Sequence, residues 1–165
     1  MKEAVLSLGS NLNNREENIK LAMKSIGLLP ETRVVCVSNF YETAPFGVKD
    51  KQNKYINCCL KVETELNPHM LLGACLGVES ALGRVRPYRF APRVIDIDLI
   101  FYEDVILSDK HLTLPHPRWK ERPFVLIPLC DIFPDFKFKL FKFELNKELY
   151  DELSQRVSKI NINMH

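Results

Sequence analysis

The stretch that decides the fold runs from Gly83 to Phe101 and reads GRVRPYRFAPRVIDIDLIF. The alternating apolar positions of its second half are Ile95, Ile97, Leu99 and Phe101. This period of two is typical of a β-strand, so Asp96 and Asp98 point to one face, with Cα atoms roughly 6 to 7 Å apart. Because Val94 and Ile100 share that face, the pattern predicts a cleft floor with two acids in its middle.

Four arginines precede this strand in a loop that is interrupted by prolines: Arg84, Arg86, Arg89 and Arg93. Two carboxylates at short range repel each other unless cations lie beside them. Mg²⁺ is commonly held by one or two carboxylates together with substrate phosphates, and guanidinium groups match phosphate oxygens. The combination indicates chemistry on a polyphosphate. The alternative is a polar strand face that is merely balanced by neighbouring arginines.

The composition is that of a soluble globular protein, and we expect a single domain over residues 1–165. Hydrophobic residues make up 46% and charged residues 27% of the chain, which is ordinary for a globular domain. The net charge of +2 is too small to indicate binding to nucleic acid or to an anionic membrane. The polar N-terminus and the lack of a long apolar run predict a cytoplasmic protein. The five cysteines, with no C-x-x-C pair, indicate buried thiols in a reducing compartment.

The remaining elements predict an α+β fold. Strands are predicted at Glu3–Leu8, Arg33–Tyr41 and Tyr55–Thr64, in addition to the strand that carries the two acids. Asn14 and Asn67 are predicted to cap two helices between these strands. The order strand–helix–strand, given twice, is that of a ferredoxin-like, split βαβ sheet. We therefore expect an antiparallel-containing sheet covered by helices, with the long loops at one edge.

The third predicted strand offers a surface on which a flat ligand could lie, and we call this surface, formed by Tyr55 and Asn57, the shelf. Tyr55 and Asn57 share one of its faces, so a planar heterocycle lying on the Tyr55 ring would meet the Asn57 amide at its edge. An amide provides both a donor and an acceptor, which suits a heterocycle with a mixed edge. Ordinary half-buried packing of Tyr55 is the alternative.

Several motifs together carry a resemblance to a known family. They are the GRVR, PR and DIDLI segments of the opening stretch, LTLPHPR at 112–118, FYETAPFG at 40–47 and LGSNL at 8–12. The sequence resembles 6-hydroxymethyl-7,8-dihydropterin pyrophosphokinases from Val5 to about Pro134. The resemblance implies transfer of the terminal pyrophosphoryl group of ATP to the pterin hydroxymethyl group, with AMP released and two Mg²⁺ ions used, in folate synthesis. ATP and the pterin are thus the implied partners, and we expect a monomer.

The resemblance also implies roles for individual residues. Asp96 and Asp98 are implied to bind both Mg²⁺ ions, and with Arg84 and Arg93 they form the implied catalytic set. The implied pterin contacts are Thr43, Pro45, Phe46, Tyr55, Asn57 and Phe124. The implied nucleotide contacts are Glu79, Arg84, Arg86, Arg89, Arg93, Ile100, His111, Thr113, His116 and Arg122.

The chain departs from the family pattern at Phe90, His111 and Pro117, and its arginine loop is one residue short. These departures concern nucleotide binding rather than the class of reaction. Two other functions stay open at this point. One is a phosphohydrolase in which water replaces the organic acceptor, which the aromatic pair and Asn57 disfavour. The other is an RNA-binding module, since ferredoxin-like sheets often bind RNA through strand aromatics, but the paired acids disfavour it.

Overall fold

The computed structural model describes residues 1–45, 52–83, 91–135, 137–138 and 143–163. The strands in this part of the chain are β1 (Lys2–Ser10), β2 (Thr32–Val37), β3 (Phe40–Thr43), β4 (Tyr55–Thr64), β5 (Asp96–Tyr102), β6 (Leu107–Ser108), β7 (Thr113–Leu114), β8 (Lys137–Phe138), β9 (Phe143–Glu144) and β10 (Ser158–Ile160). The α-helices are α1 (Arg15–Gly27), α2 (Pro68–Ala81), α3 (Pro123–Ile132) and α4 (Lys147–Ser154). Among the described residues, none of these helices is both long and apolar enough to cross a membrane.

Six strands form the main sheet, in the order β10-β3-β4-β1-β5, with β2 also paired to β4. Every pairing in this sheet is antiparallel. Strand β1 therefore has β4 on one side and the predicted acid-bearing strand, β5, at the edge of the sheet on the other. The antiparallel sheet and its four helices confirm the α+β prediction.

Side chains on the two faces of the sheet enter two separate cores, because successive residues of a strand point to opposite sides. Leu6, Leu8 and Leu60 pack with the apolar stripes of α1 and α2. Val5 and Cys59 pack with α3 and α4 on the opposite face. The sheet thus lies between two helical layers, and the strands β1, β4 and β5 bury side chains on both faces, whereas alternate residues of β2 stay exposed.

The two predicted helix caps are confirmed. The Asn14 side chain accepts a hydrogen bond from the Glu17 backbone N–H, and the Asn67 side chain accepts one from Met70. Each bond satisfies a donor that the first helical turn leaves without an intrahelical partner. These caps fix where the chain turns back after β1 and after β4.

The predicted strand at Arg33–Tyr41 is wrong in one respect, because it is broken into β2 and β3. The break lies at Ser38 and Asn39. The Ser38 hydroxyl accepts a hydrogen bond from the Cys59 N–H at 2.8 Å, and the Asn39 N–H donates to an Asp131 carboxylate oxygen at 2.9 Å. Side chains therefore take the place of two ladder bonds. The chain moves from the C-terminal half of β4, which pairs with β2, to its N-terminal half, which pairs with β3.

A β-bulge interrupts the predicted alternation of side chains in β5. Leu6 pairs with Leu99, while the adjacent Val5 pairs with Phe101, so Ile100 is an extra residue on β5. Ile100 and Phe101 consequently both enter the core beside α3. The prediction that Phe101 shares a face with Leu99 is wrong, since a bulge reverses the phase of the residues that follow it.

Candidate active site

A cleft opens on the α3 side of the sheet, at the end where β1 and β3 finish and β4 and β5 begin. Eight residues that the sequence predicted for the site line it: Thr43, Tyr55, Asn57, Arg93, Asp96, Asp98, Arg122 and Phe124. Four further residues that the sequence did not predict also line it: Ser7, Gly9, Ala44 and Arg118. The predicted pterin-side and phosphate-side residues thus meet in one cleft.

Strand register explains this meeting. Gly9 on β1 pairs with Asn57 on one side and with Asp96 on the other. Since neighbouring strands are about 4.8 Å apart, the backbones of Asn57 and Asp96 are separated by roughly 10 Å. Gly9 has no side chain, so the floor between the amide and the carboxylate stays open. A Cβ atom at Gly9 would lie 3.1 Å from the Asn57 Oδ1 atom.

We call the β3 and β4 side of the cleft, with Thr43, Tyr55 and Asn57, together with Phe124, the neutral half. The Asn57 side chain is buried and its Nδ2 donates to the Thr43 hydroxyl at 2.9 Å. Because the amide donor is engaged in this way, the Oδ1 acceptor is the atom that faces Gly9 and the cleft. This half offers an acceptor and two aromatic rings without a formal charge.

We call the side formed by Arg93, Asp96, Asp98 and Arg122 the charged half. Arg93 Nη1 pairs with Asp96 Oδ2, and Arg122 Nη1 pairs with Asp98 Oδ2 at 2.9 Å. The Arg122 guanidinium also lies 5.7 Å from the centre of the Phe124 ring, which is within cation–π range. The two carboxylates occupy same-face positions of β5, and they could hold a cation between the halves.

Burial dominates the electrostatics of this half. The burial of Asp98 and the charge of nearby Asp96 raise the Asp98 pKa, while His116 in its protonated form and the Arg122 guanidinium oppose that rise. Burial lowers the pKa of His116, although the charge of Asp98 partly offsets this effect. Both shifts favour the neutral forms of these groups, as expected when charged side chains lose contact with water.

His116 is held beside Asp98 by the bulge in β5. Its backbone N–H donates to the carbonyl of Ile100 at 2.9 Å. The Nδ1 atom accepts a hydrogen bond from the backbone N–H of Arg118 at 3.1 Å. A neutral His116 therefore carries its proton on Nε2, which is left to donate to a ligand. The predicted nucleotide contact Ile100 is itself buried, and it contributes this carbonyl rather than a side chain on the cleft.

Other predicted nucleotide contacts lie away from the lining of the cleft. Glu79 is buried on α2, and its carboxylate accepts a hydrogen bond at 2.6 Å from the outward N–H of Ile97 on edge strand β5. His111 is exposed and donates its backbone N–H to Asp109. Thr113 pairs with Ser108 in the small β6–β7 sheet.

The remaining predicted residues lie beside the cleft or outside the described residues. Pro45 follows Ala44, which lines the cleft. The predicted residues that lie outside the described part of the chain are Phe46, Arg84, Arg86 and Arg89. The missed residue Arg118 is half-exposed and pairs through its Nε with Glu121 at 3.1 Å. The signal for Gly9 was present in the LGSNL motif, but its role depends on strand register.

The chain matches the family model described as 7,8-dihydro-6-hydroxymethylpterin-pyrophosphokinase (HPPK) over residues 5–134. It is 46% identical over 135 residues to a 2-amino-4-hydroxy-6-hydroxymethyldihydropteridine pyrophosphokinase of Methylorubrum extorquens, covering 82% of this chain and 85% of that protein. A protein with the same description from Haemophilus influenzae is 40% identical, with 82% of this chain and 84% of that protein covered.

Solved structures show the same fold. The HPPK-DHPS of Plasmodium falciparum superposes with a TM-score of 0.70 at 17% sequence identity. The superposition covers 98% of this chain and 45% of that one, so this chain spans less than half of the solved protein. With the cleft, its two halves and these sequence matches taken together, the chain belongs to the 7,8-dihydro-6-hydroxymethylpterin-pyrophosphokinase family.

Proposed function

We infer that this protein transfers pyrophosphate from ATP to 6-hydroxymethyl-7,8-dihydropterin, giving AMP and the pterin pyrophosphate, in folate biosynthesis. The observation that carries this inference, beside family membership, is the neutral half and the charged half facing each other across Gly9. A flat neutral ring and a polyphosphate need opposite surroundings. This cleft offers both, on strands that flank Gly9 on either side.

We propose that the neutral half binds the pterin. The ring lies between Tyr55 and Phe124, which supply stacking surfaces. The Oδ1 atom of Asn57 accepts a hydrogen bond from an N–H of the ring edge, while Thr43 keeps the amide oriented. Pro45 and Phe46 complete this proposed pterin site. Support comes from the buried, pre-formed Asn57–Thr43 pair beside the open floor at Gly9.

The charged half is proposed to bind the phosphates of ATP. Arg93 and Arg122 exchange their carboxylate partners for phosphate oxygens and offset the charge that develops as the pterin hydroxyl attacks the β-phosphorus. His116 donates from Nε2 to a phosphate oxygen. Arg84, Arg86 and Arg89 are proposed to act on the same phosphates. Glu79, Ile100, His111 and Thr113 remain proposed nucleotide-side residues, of which Glu79 acts by holding β5 rather than by touching the nucleotide.

Asp96 and Asp98 are proposed to hold two Mg²⁺ ions. The donor set fits, because Mg²⁺ prefers oxygen ligands and commonly takes one or two carboxylates plus substrate phosphates. The described residues contain no group of three or more metal-ligating side chains, which agrees with a site that ATP completes. When bound, the metal polarises the phosphate oxygens and offsets their charge. With the charge handled in this way, the protein needs to orient the hydroxyl rather than supply a strong base.

A product assay tests the function and separates it from the hydrolase alternative. The protein is mixed with ATP and Mg²⁺, with and without 6-hydroxymethyl-7,8-dihydropterin, and AMP and ADP are measured. We expect AMP only when the pterin is present. ATP loss at the full rate without pterin would show that water is the acceptor. ADP would show transfer of a single phosphoryl group or hydrolysis, and either result would reject the proposed function.

The finer architectural predictions are also proposals. The order β5-β1-β4-β3 within the sheet supports the ferredoxin-like, split βαβ assignment. All five cysteines are free thiols, which supports a reducing, cytoplasmic location. We propose that the chain acts there as a single-domain monomer with no nucleic-acid or membrane partner.

A further inference from the structure

Asn11 is a buried polar residue that is hydrogen-bonded to the backbone of Arg93 in the charged half. It follows β1 directly and its side chain is fully buried. Its backbone N–H donates to the Arg93 carbonyl at 3.1 Å, and its Oδ1 accepts from the Arg93 N–H at 2.7 Å. Asn11 therefore holds the Arg93 backbone on both sides. The Arg93 side chain in turn pairs with Asp96.

The same side chain also holds the segment that leads into the neutral half. Its Nδ2 donates to the Gln52 side-chain oxygen at 3.2 Å and to the Asn53 carbonyl at 3.3 Å. Tyr55, the proposed lower shelf for the pterin, follows two residues later. The amide of Asn11 thus has its acceptor and both donors engaged. An amide so completely satisfied in a buried position constrains every segment it touches.

We propose that Asn11 is a positioning residue that fixes the separation between the pterin shelf and the phosphate-binding arginine. Gln52 and Asn53 form one arm of this link and Arg93 forms the other. This inference rests on the proposed function, because it needs a pterin in one half and phosphates in the other. Group transfer requires reacting atoms at about 3 to 3.5 Å, so a displacement of about 1 Å between the halves slows the reaction strongly.

Two substitutions separate the arms. Asn11→Ala removes the side-chain bonds of both arms and leaves only the backbone N–H bond to the Arg93 carbonyl. Asn11→Asp keeps an oxygen to accept from the Arg93 N–H, but it sets its second oxygen against the Asn53 carbonyl, which cannot donate. The Asp variant therefore loses the bond to the Asn53 carbonyl while it keeps the arm to Arg93, and the Gln52 amide can turn to donate to the new oxygen.

Asn18→Ala is the matched control, since it is the same substitution a few residues further along the chain. The Asn18 side chain donates to Ser10 Oγ at 3.2 Å and to the Leu12 carbonyl at 2.8 Å. Neither partner belongs to the charged half or to residues 52–55. Asn18→Ala therefore measures the loss of hydrogen bonds to the two residues that flank Asn11, without removing a bond that Asn11 itself makes.

The experiment begins with the wild-type product assay, followed by kcat, the two KM values, direct pterin binding and the thermal midpoint of each variant. We expect Asn11→Ala to lower kcat about 10- to 100-fold and to weaken pterin binding about tenfold. Asn11→Asp should weaken pterin binding about as much while keeping kcat within about threefold of wild type. Asn18→Ala should lower only the thermal midpoint.

Two outcomes would overturn the inference alone: an active wild type with Asn11→Ala kinetics like those of Asn18→Ala, or Asn11→Asp losing as much kcat as Asn11→Ala. The first would make Asn11 purely structural. The second would mean that its arms do not act separately. A wild type that forms no AMP from ATP and the pterin would reject both the proposed function and this inference.

Discussion

The two halves of the cleft are built on one sheet but hold their side chains by different means. In the neutral half, Asn57 is 3% exposed and is fixed by a neutral hydrogen bond to Thr43. In the charged half, Arg122 pairs with Asp98, and these side chains are 21% and 34% exposed. The hydrogen-bonded pair of the neutral half is buried and uncharged, and the ion pair of the charged half is partly exposed.

This difference teaches how the two tasks are divided. A buried neutral hydrogen bond is costly to break, because each group would be left unsatisfied. A partly exposed ion pair can exchange one partner for another ion, since water and salt weaken the original contact. We therefore expect the neutral half to recognise its ligand in a pre-formed state. The charged half is expected to exchange its arginine–carboxylate pairs when phosphates and metal bind.

The largest effect that we expect from a substitution is in the charged half. Asp98→Ala should lower turnover at least about 10³-fold, because the carboxylate that we propose holds the metal is lost. Pterin binding measured without nucleotide should stay close to wild type. Asp104→Ala, in an exposed turn after β5, is the control and should leave turnover unchanged. Near-normal turnover in Asp98→Ala would contradict the metal assignment.

The next largest effect is expected at the floor between the halves. In Gly9→Ala the new methyl group would lie 3.1 Å from Asn57 Oδ1 and 3.6 Å from the Tyr55 ring. The amide must shift, so pterin KM should rise about 10- to 100-fold. Steady-state kinetics with varied pterin measures this change.

Gly73→Ala provides the control for that substitution. Gly73 lies within α2, and a Cβ there meets no atom within 4 Å. Alanine in a helix interior is more stable than glycine by about 1 kcal/mol. Gly73→Ala should therefore raise the thermal midpoint slightly and leave pterin KM unchanged. A Gly9→Ala variant that behaved in the same way would show that the floor tolerates a side chain.

A smaller effect tests whether the neutral half is pre-formed. Thr43→Val removes the acceptor for Asn57 Nδ2, so the amide loses its orientation and pterin binding should weaken about three- to tenfold. Titration of pterin into the two proteins measures this loss. In the control, Thr32→Val breaks a buried hydrogen bond of 2.7 Å between the Thr32 hydroxyl on β2 and the Thr64 hydroxyl at the C-terminal end of β4. Equal weakening by both variants would mean that the effect is general destabilisation.

The smallest effect concerns a carboxylate that belongs to neither half. Backbone hydrogen bonds from His111 and Leu112, together with the His69 side chain, lower the Asp109 pKa to about 2 from its usual 3.8. A lowered pKa in the folded state means that the ionised group stabilises the fold above pH 3.8, and that this contribution is lost as the pH falls towards 2.

The Asp109→Ala variant should therefore unfold a few degrees below wild type at about pH 6. The difference in thermal midpoint should shrink as the pH falls from about 4 to about 2. Thermal unfolding at stepped pH values measures it. A difference that stays constant over this range would contradict the assignment of the stabilisation to the ionised carboxylate.

The sequence predicted those parts of the molecule that depend on local periodicity. Asp96 with Asp98, and Tyr55 with Asn57, share faces because a strand repeats every two residues. The caps at Asn14 and Asn67 depend on contacts three residues away. These features need no knowledge of what lies on the neighbouring strands.

Features that depend on contacts with distant segments of the chain could not be predicted from such local patterns. The floor position of Gly9 follows from the pairing of β1 with both β4 and β5. The break at Ser38 needs Cys59 and Asp131 as partners. Similarly, nothing in the local sequence around Glu79 indicates that its carboxylate would bind the N–H of Ile97. In each case the partner is far away in the chain, so only the assembled sheet reveals the role.

The bulge at Ile100 has a consequence for insertions and deletions in the gene. Removal of one residue from a strand normally turns every later side chain to the wrong face. Here Ile100 is itself the extra residue, so its deletion would leave Phe101 and Tyr102 on their present sides of the sheet. What would be lost is the buried Ile100 side chain, at a cost in stability, together with the carbonyl that holds His116 next to Asp98. A shortened β5 should thus preserve the fold while it releases the histidine from the acid pair.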